Sequence, residues 1–99
     1  MAEVRWTPQA ASDLENAADF IAKNSPHYAS LLVMDFLAAV SRLAAFPRFG
    51  RMVPEVKNPA IREIILGNYR VVYRLNPESV EVLAIHHAAR LLDPTKFGR

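Results

Sequence analysis

Residues 61–90 read IREIILGNYRVVYRLNPESVEVLAIHHAAR, and the fold turns on how this stretch is divided. Three runs rich in Val, Ile, Leu and Tyr are separated by Gly67-Asn68 and by Asn76-Pro77-Glu78-Ser79. A two-residue Gly-Asn loop suits a type II′ hairpin turn, because glycine adopts the positive φ of the first central position without steric cost. In the second divider, Pro77 presets φ near −65° and suits a type I turn. The prediction is an antiparallel three-stranded meander over roughly 61–66, 69–75 and 80–86, against which the remaining chain must pack.

The turns set a register. With Leu66 opposite Tyr69, Ile64 faces Val71 and Arg62 faces Tyr73. With Leu75 opposite Val80, Tyr73 faces Val82, Val71 faces Ala84 and Tyr69 faces His86. Strand alternation then gathers Ile64, Leu66, Val71, Leu75, Val80, Val82 and Ala84 on one side, the expected core. The other side carries Glu63, Arg70, Arg74 and Glu81 among Ile65, Val72, Leu83 and Ile85. It reads as half solvated, with Arg74 and Glu81 as a cross-strand ion pair.

Outward from the meander, the chain of 99 residues has room for a single domain, 1–99, with one core. Half of its residues are hydrophobic, which is high for this length and points to apolar surface reserved for a partner. No run approaches ~18 uninterrupted apolar residues, so no membrane span is expected. The opening MAEVRWTP has no signal-peptide core, and there is no cysteine, so a cytoplasmic protein is expected. Charge is uneven: residues 1–45 hold three basic and five acidic groups, residues 46–99 nine and five. The sheet half is therefore electropositive and would steer an acidic partner or nucleic acid.

Before the meander, Glu3-Val4-Arg5-Trp6 alternates as a short strand. Thr7-Pro8 and Ser25-Pro26 are each an N-cap followed by proline at the first helical position, predicting helices to about Lys23 and about Ala45. The short gap between them favours an antiparallel helix hairpin. Ala10, Leu14, Ala17, Ala18 and Ile21 stripe the first helix, and Leu32, Phe36, Val40 and Leu43 the second. Phe20, Leu31 and Met34 fall off these stripes and Leu37 flanks the second; the four read either as ordinary core and scattered surface apolars or as a partner groove. Residues 46–54, broken by two prolines and a glycine, read as a loop carrying Arg48 and Arg51.

The residues argue against most catalytic chemistry. His86 and His87 are adjacent and point to opposite sides of a strand, and no metal-ligand spacing or Gly-rich phosphate loop occurs, so neither metal nor cofactor is expected. An acid–base reaction on RNA would draw on Arg62, Arg70, Arg74, His87 and Arg90 for phosphates and on Tyr73, Glu63 or His87 for protons. The structural alternative stacks Arg62 on Tyr73 and pairs Glu63 with Arg70 or Arg74.

The series PxxGR from Pro47, IREIILGNYRVVYR from Ile61 and VLAIHHAAR from Val82 resembles the RelE/ParE toxin superfamily, most closely ParE toxins of plasmid-stabilisation (type II toxin–antitoxin) modules. The resemblance covers nearly the whole chain. It implies an α+β, RelE-like fold in two layers: an N-terminal strand and a two-helix hairpin packed on a mainly antiparallel sheet. It also implies a cognate, ParD-like antitoxin that lays a helix and an extended segment across the toxin, forming a hetero-oligomer. Phe20, Leu31, Met34 and Leu37 are the residues expected to receive it. RelE-type relatives cut messenger RNA on the ribosome, but Ile64 stands where well-known cutters have lysine, and no tyrosine follows Tyr73. ParE-type relatives are associated with inhibition of DNA gyrase. The resemblance therefore implies a gyrase-directed toxin without catalytic residues of its own, with Arg62, Arg70, Tyr73, His87 and Arg90 serving toxicity; a ribosome-dependent endoribonuclease is the alternative.

Overall fold

A computed structural model describes residues 1–96. The strand β1 (Glu3–Trp6) leads into the helices α1 (Pro8–Ala22) and α2 (Pro26–Arg42), followed by β2 (Arg51–Met52), β3 (Ile61–Leu66), β4 (Tyr69–Leu75) and β5 (Ser79–His87). Among the described residues these strands form one five-stranded sheet in the order β1-β5-β4-β3-β2. The β3–β4–β5 meander is antiparallel, and β1 runs parallel to β5 at its edge. The architecture is the expected two-layer α+β arrangement.

Local chemistry sets the element ends. Thr7 Oγ1 accepts a hydrogen bond from the Ala10 N–H at 3.1 Å, and Ser25 Oγ accepts one from the Tyr28 N–H at 3.1 Å, so both helices begin at their N-caps. Helix α2 ends at Arg42, earlier than expected, and residues 43–45 continue as turns ahead of Pro47. At the β3–β4 hairpin Gly67 has φ +58° while Asn68 stays out of the left-handed region, as a type II′ turn requires.

The predicted register holds for β3–β4 and for β5 as far as Val82 opposite Tyr73. Beyond that point Leu83 is an extra residue, a β-bulge, so Val72 pairs with Ala84, Val71 with Ile85 and Tyr69 with His87. The expected Val71–Ala84 and Tyr69–His86 pairs are therefore wrong by one residue. The physical reason lies outside the strand pair. The Thr7 N–H and hydroxyl both donate to the Val82 carbonyl, at 3.0 and 2.8 Å, and the hydroxyl lies 3.2 Å from the Leu83 carbonyl as well. The helix cap thus holds the two carbonyls that bracket the bulge.

The bulge exchanges the faces of Ala84 and Ile85. Ile85 joins Leu32, Phe36, Val40, Leu43, Ile64, Val71, Val80 and Val82 in the core between sheet and helices. Ala84 joins Val53, Ile61, Val72 and Leu92 on the opposite side. That opposite side is buried only around Glu63, Arg70 and Val72, where residues 53–57 and Leu92 pack. Elsewhere it is half solvated as expected: Ile65 is exposed, and the partly exposed Arg74 and Glu81 pair across the strands at 3.8 Å. Arg51 and Met52, expected in a loop, pair with Glu63 and Arg62 as the edge strand β2.

Candidate functional site

Two surfaces carry the residues singled out above. The first is the outer side of the helix hairpin. Phe20 is 65% exposed, Met34 64%, and Leu31 and Leu37 are also exposed. Tyr28, which the sequence reading passed over, is exposed as well. It could have been found: Tyr28, Leu31, Met34 and Leu37 recur every three residues and form one ridge along α2. Beside this ridge a shallow cavity of about 370 Å³ lies between the helices, lined by Ala18, Ala22, Ala29, Val33 and Met34 with Asp19 at its rim. The alanines let the helices meet closely, and the apolar side chains that stand out beside them have no cover. The Lys23 ammonium sits 5.8 Å from the centre of the exposed Phe20 ring. All four residues expected to receive an antitoxin are thus exposed on the helix hairpin.

The second surface is the sheet side away from the helices, and there the expected residues separate. Arg70 is 4% exposed and Glu63 1%. Arg70 Nε donates to Glu63 Oε1 at 2.6 Å, its Nη1 and Nη2 donate to the two oxygens of Glu55 at 2.6 and 2.9 Å, and Nη1 also donates to the Arg90 carbonyl at 2.9 Å. Arg51 Nε donates to the second Glu63 oxygen at 2.7 Å. Glu55 also accepts from the Leu92 N–H at 3.0 Å. One guanidinium therefore ties together β3, the 53–57 loop and the tail. Its hydrogen bonds hold the Glu55 carboxyl well below the usual range, at about 2, and the two carboxylates push the Arg70 pKa up.

Tyr73 is fully buried. Its hydroxyl donates to the Pro47 carbonyl at 2.7 Å and accepts from the Gly50 N–H at 2.8 Å. Burial raises its pKa, so the phenol stays protonated. Gly50 is there for a steric reason: a Cβ at that position would lie 2.6 Å from the Glu63 carbonyl oxygen and 2.6 Å from the Tyr73 hydroxyl. Arg62, across the strands from Tyr73, donates to the Pro59 and Gly50 carbonyls, both at 3.0 Å. Arg70 and Tyr73 were expected on a target-facing surface, and the structure puts both inside with every polar atom engaged.

His87 and Arg90 are exposed at the end of β5. The His87 ring packs edge-on against Tyr69 at 5.9 Å, and its Nδ1 accepts from the Ala89 N–H at 3.3 Å. The expected residues thus reduce to a half-exposed Arg62 and this exposed His87–Arg90 corner. Glu55 and Leu92, which hold the far side of the sheet closed, were missed; one lies in a proline-broken loop and the other in a polar tail, and neither position carries a local signal. Among the described residues no group of three or more His, Cys, Asp or Glu side chains converges as a metal site would, and no helix is long and apolar enough to cross a membrane.

This arrangement is one found in known proteins. The family model of the ParE toxin of the type II toxin–antitoxin system parDE matches residues 4–92. Toxin RelE2 of Caulobacter vibrioides is 33% identical over 92 residues, covering 92% of this chain and all of that protein. Toxin ParE3 of the same organism is 33% identical over 86 residues, covering 86% of this chain and 85% of the relative. Among solved structures, a chain of the chromosomal ParDE system from P. aeruginosa superposes with a TM-score of 0.73 at 24% identity, over 88% of this chain and 96% of that one. A chain of the RelBE2 toxin–antitoxin complex from Mycobacterium tuberculosis gives 0.56 at 24% identity, over 87% and 96%. The chain belongs to the ParE toxin family of type II toxin–antitoxin systems.

Proposed function

We propose that this toxin acts by binding DNA gyrase in the cytoplasm rather than by breaking bonds itself, and that a cognate antitoxin neutralises it by covering the α1–α2 ridge. The observation that carries the non-catalytic reading is the state of Arg70 and Tyr73. A group that moves protons or grips a scissile phosphate must reach the substrate. Arg70 is spent on Glu63, Glu55 and a carbonyl, and the Tyr73 phenol is sealed between Pro47 and Gly50. Of the residues expected to serve toxicity, the half-exposed Arg62 and the exposed His87–Arg90 corner remain accessible for contact with a target.

The antitoxin half of the reading is supported by the ridge of Phe20, Tyr28, Leu31, Met34 and Leu37. Large side chains exposed together on one helix pair suit an amphipathic helix laid in the groove. The solved relatives are described as parts of toxin–antitoxin systems, in keeping with a hetero-oligomer here.

Expression without the antitoxin tests the target. Gyrase poisoning induces an SOS reporter and accumulates cleaved gyrase–DNA complexes. Transcripts cut within translated regions, with no SOS response, would replace this reading with a ribosome-dependent endoribonuclease. Normal growth with abundant soluble protein would remove toxicity altogether. Arg90→Ala should retain the fold and lose toxicity; full toxicity in that variant would take the corner out of the target surface.

A further inference from the structure

The loop between α2 and β2 is fastened along its backbone and yet keeps its largest side chains in water. The Phe46 N–H donates to the Arg42 carbonyl at 3.0 Å, and the Phe49 N–H to the Phe46 carbonyl at 3.0 Å, a turn with Pro47 at its first corner. The buried Tyr73 hydroxyl spans that turn, donating to the Pro47 carbonyl and accepting from the Gly50 N–H, and Arg62 donates to the Gly50 carbonyl. A backbone held in this way has little freedom left to lose when something binds. Phe46 is nonetheless 65% exposed and Phe49 72%, and Met52 just beyond them is exposed as well. Single exposed apolar residues are ordinary; two phenylalanines on one rigid turn mark a contact surface.

Charge says what that contact is. Arg42, Arg48 and Arg51 are all exposed. No ion pair holds Arg42 or Arg48 among the described residues, and Arg51 gives its Nε to Glu63 while most of its side chain stays in solvent. From residue 36 to residue 77 the chain has two carboxylates, Glu55 and Glu63, and both turn inward to Arg70. The stretch therefore presents cations and rings to solvent and keeps its acids inside. An amphipathic acidic peptide carries its charged and apolar groups on separate faces. Here cation and apolar group alternate along the chain, Arg42, Phe46, Arg48, Phe49, Arg51 and Met52, as phosphate and base alternate along a nucleic-acid strand. In a duplex the base faces are already stacked and offer nothing to a phenylalanine, so the match is to a single strand.

We propose that the 46–52 loop binds single-stranded nucleic acid, Phe46 and Phe49 each stacking a base and Arg42, Arg48 and Arg51 holding the flanking phosphates. The two rings start from the ends of one turn, whose Cα atoms lie within ~7 Å, and so serve neighbouring bases. Stacking is tolerant of sequence because every base has a π face, and the arginine contacts make binding depend on salt. The loop uses none of the residues of the α1–α2 ridge or of the His87–Arg90 corner. The inference is therefore independent of gyrase and of the antitoxin.

The test is fluorescence anisotropy of labelled thymidine and uridine strands of about 12 nucleotides, titrated with the full-length protein, with neither gyrase nor antitoxin present. Saturable binding is expected, tighter than to a duplex of the same length, and the tighter of the two strands names the source as DNA or RNA. Phe46→Ala and Phe49→Ala should each weaken it by about tenfold, the loss of one stacked base, without changing its salt dependence. Arg48→Gln should lower the slope of log affinity against log salt by about 0.7. Leu91→Ala, exposed on the tail, should bind as the parent does. Every one of these side chains is exposed, so the variants should keep the parent's circular dichroism and melting temperature. Absence of saturable binding, equal affinity for single strand and duplex, or unchanged affinity in both phenylalanine variants would overturn the proposal. So would a peptide of glutamate and leucine that saturates the loop when neither oligonucleotide binds, which would give this surface to a protein partner.

Discussion

The side of the sheet under the helices and the centre of its other side are both buried, by opposite means. Toward the helices, Val71, Val80, Val82, Ile64 and Ile85 meet Leu32, Phe36, Val40 and Leu43. Toward the loop and tail, a small apolar patch surrounds Glu63 and Arg70, two ionised side chains less than 5% exposed. Apolar packing is non-directional and tolerates local adjustment. The charged side is held by geometry: Arg70 satisfies two carboxylates and a carbonyl, and no buried side-chain polar atom among the described residues lacks a partner. A buried ion set costs desolvation and gives back little net stability, but removing one member leaves the others stranded. The charged side therefore specifies where the 53–57 loop and the tail lie more than it stabilises them.

That contrast can be broken by substitution, and the two largest effects, one on each side, are of similar size. Arg70→Ala leaves Glu63 buried and alone with Arg51, and should lower stability by about 3–5 kcal/mol, measured by urea denaturation. Phe36→Ala on the helix side should cost about the same, ~3–5 kcal/mol, through a cavity. The two variants differ in kind: amide exchange in residues 88–92 should accelerate selectively in Arg70→Ala and not in Phe36→Ala. Equal protection of the tail in both would mean that the guanidinium does not anchor it. Gly50→Ala forces a methyl against the Glu63 carbonyl and should destabilise by about 1–3 kcal/mol.

Acid sharpens the comparison further. The folded-state pKa of Glu55 is about 2, below its ordinary 4.5. A depressed carboxylate contributes stability that is fully present above the unfolded value and is lost as pH falls through the folded one. Stability should thus decline between about pH 4.5 and 2. Glu55→Gln should be less stable at neutral pH and flatter across this window, as thermal melts at several pH values would reveal. Thr7→Ala should cost about 0.5–2 kcal/mol, the ordinary loss of a cap, with added exchange at the bulge that the hydroxyl also binds. The smallest stability effect is expected for Met34→Asp, within about 0.5 kcal/mol because the side chain is exposed. The same change should weaken antitoxin binding strongly; a melting collapse with unchanged affinity of the folded fraction would assign Met34 to the core instead.

Reading the sequence recovered the helix hairpin, the three meander strands and the exposed apolar ridge, because each depends on neighbours within a few positions. Thr7-Pro8, Ser25-Pro26 and Gly67-Asn68 announce helix starts and a turn through their own backbone chemistry. The ridge stood out because Leu31 and Met34 fell away from the core stripe and Leu37 only flanked it. The buried side of the site did not stand out in the same way. Arg70 looks the same in the sequence whether it meets solvent, a target or Glu63, and the pairing with Glu63 was foreseen only as one of two readings. Glu55 was invisible, since its partner is 15 positions away across a proline-broken loop.

What the sequence determined by itself was the α+β order of elements, the meander and the large apolar side chains that α2 leaves exposed, all written in local periodicity and turn residues. Only the tertiary structure decided that β1 lies parallel to β5, that Thr7 holds a bulge at Leu83, and that a loop and a tail close over Arg70. The physical reason is that each of these is a hydrogen bond between groups far apart in the chain. Where such a bond forms depends on which donors and acceptors the packed layers bring within 3 Å, and no single stretch of residues carries that information.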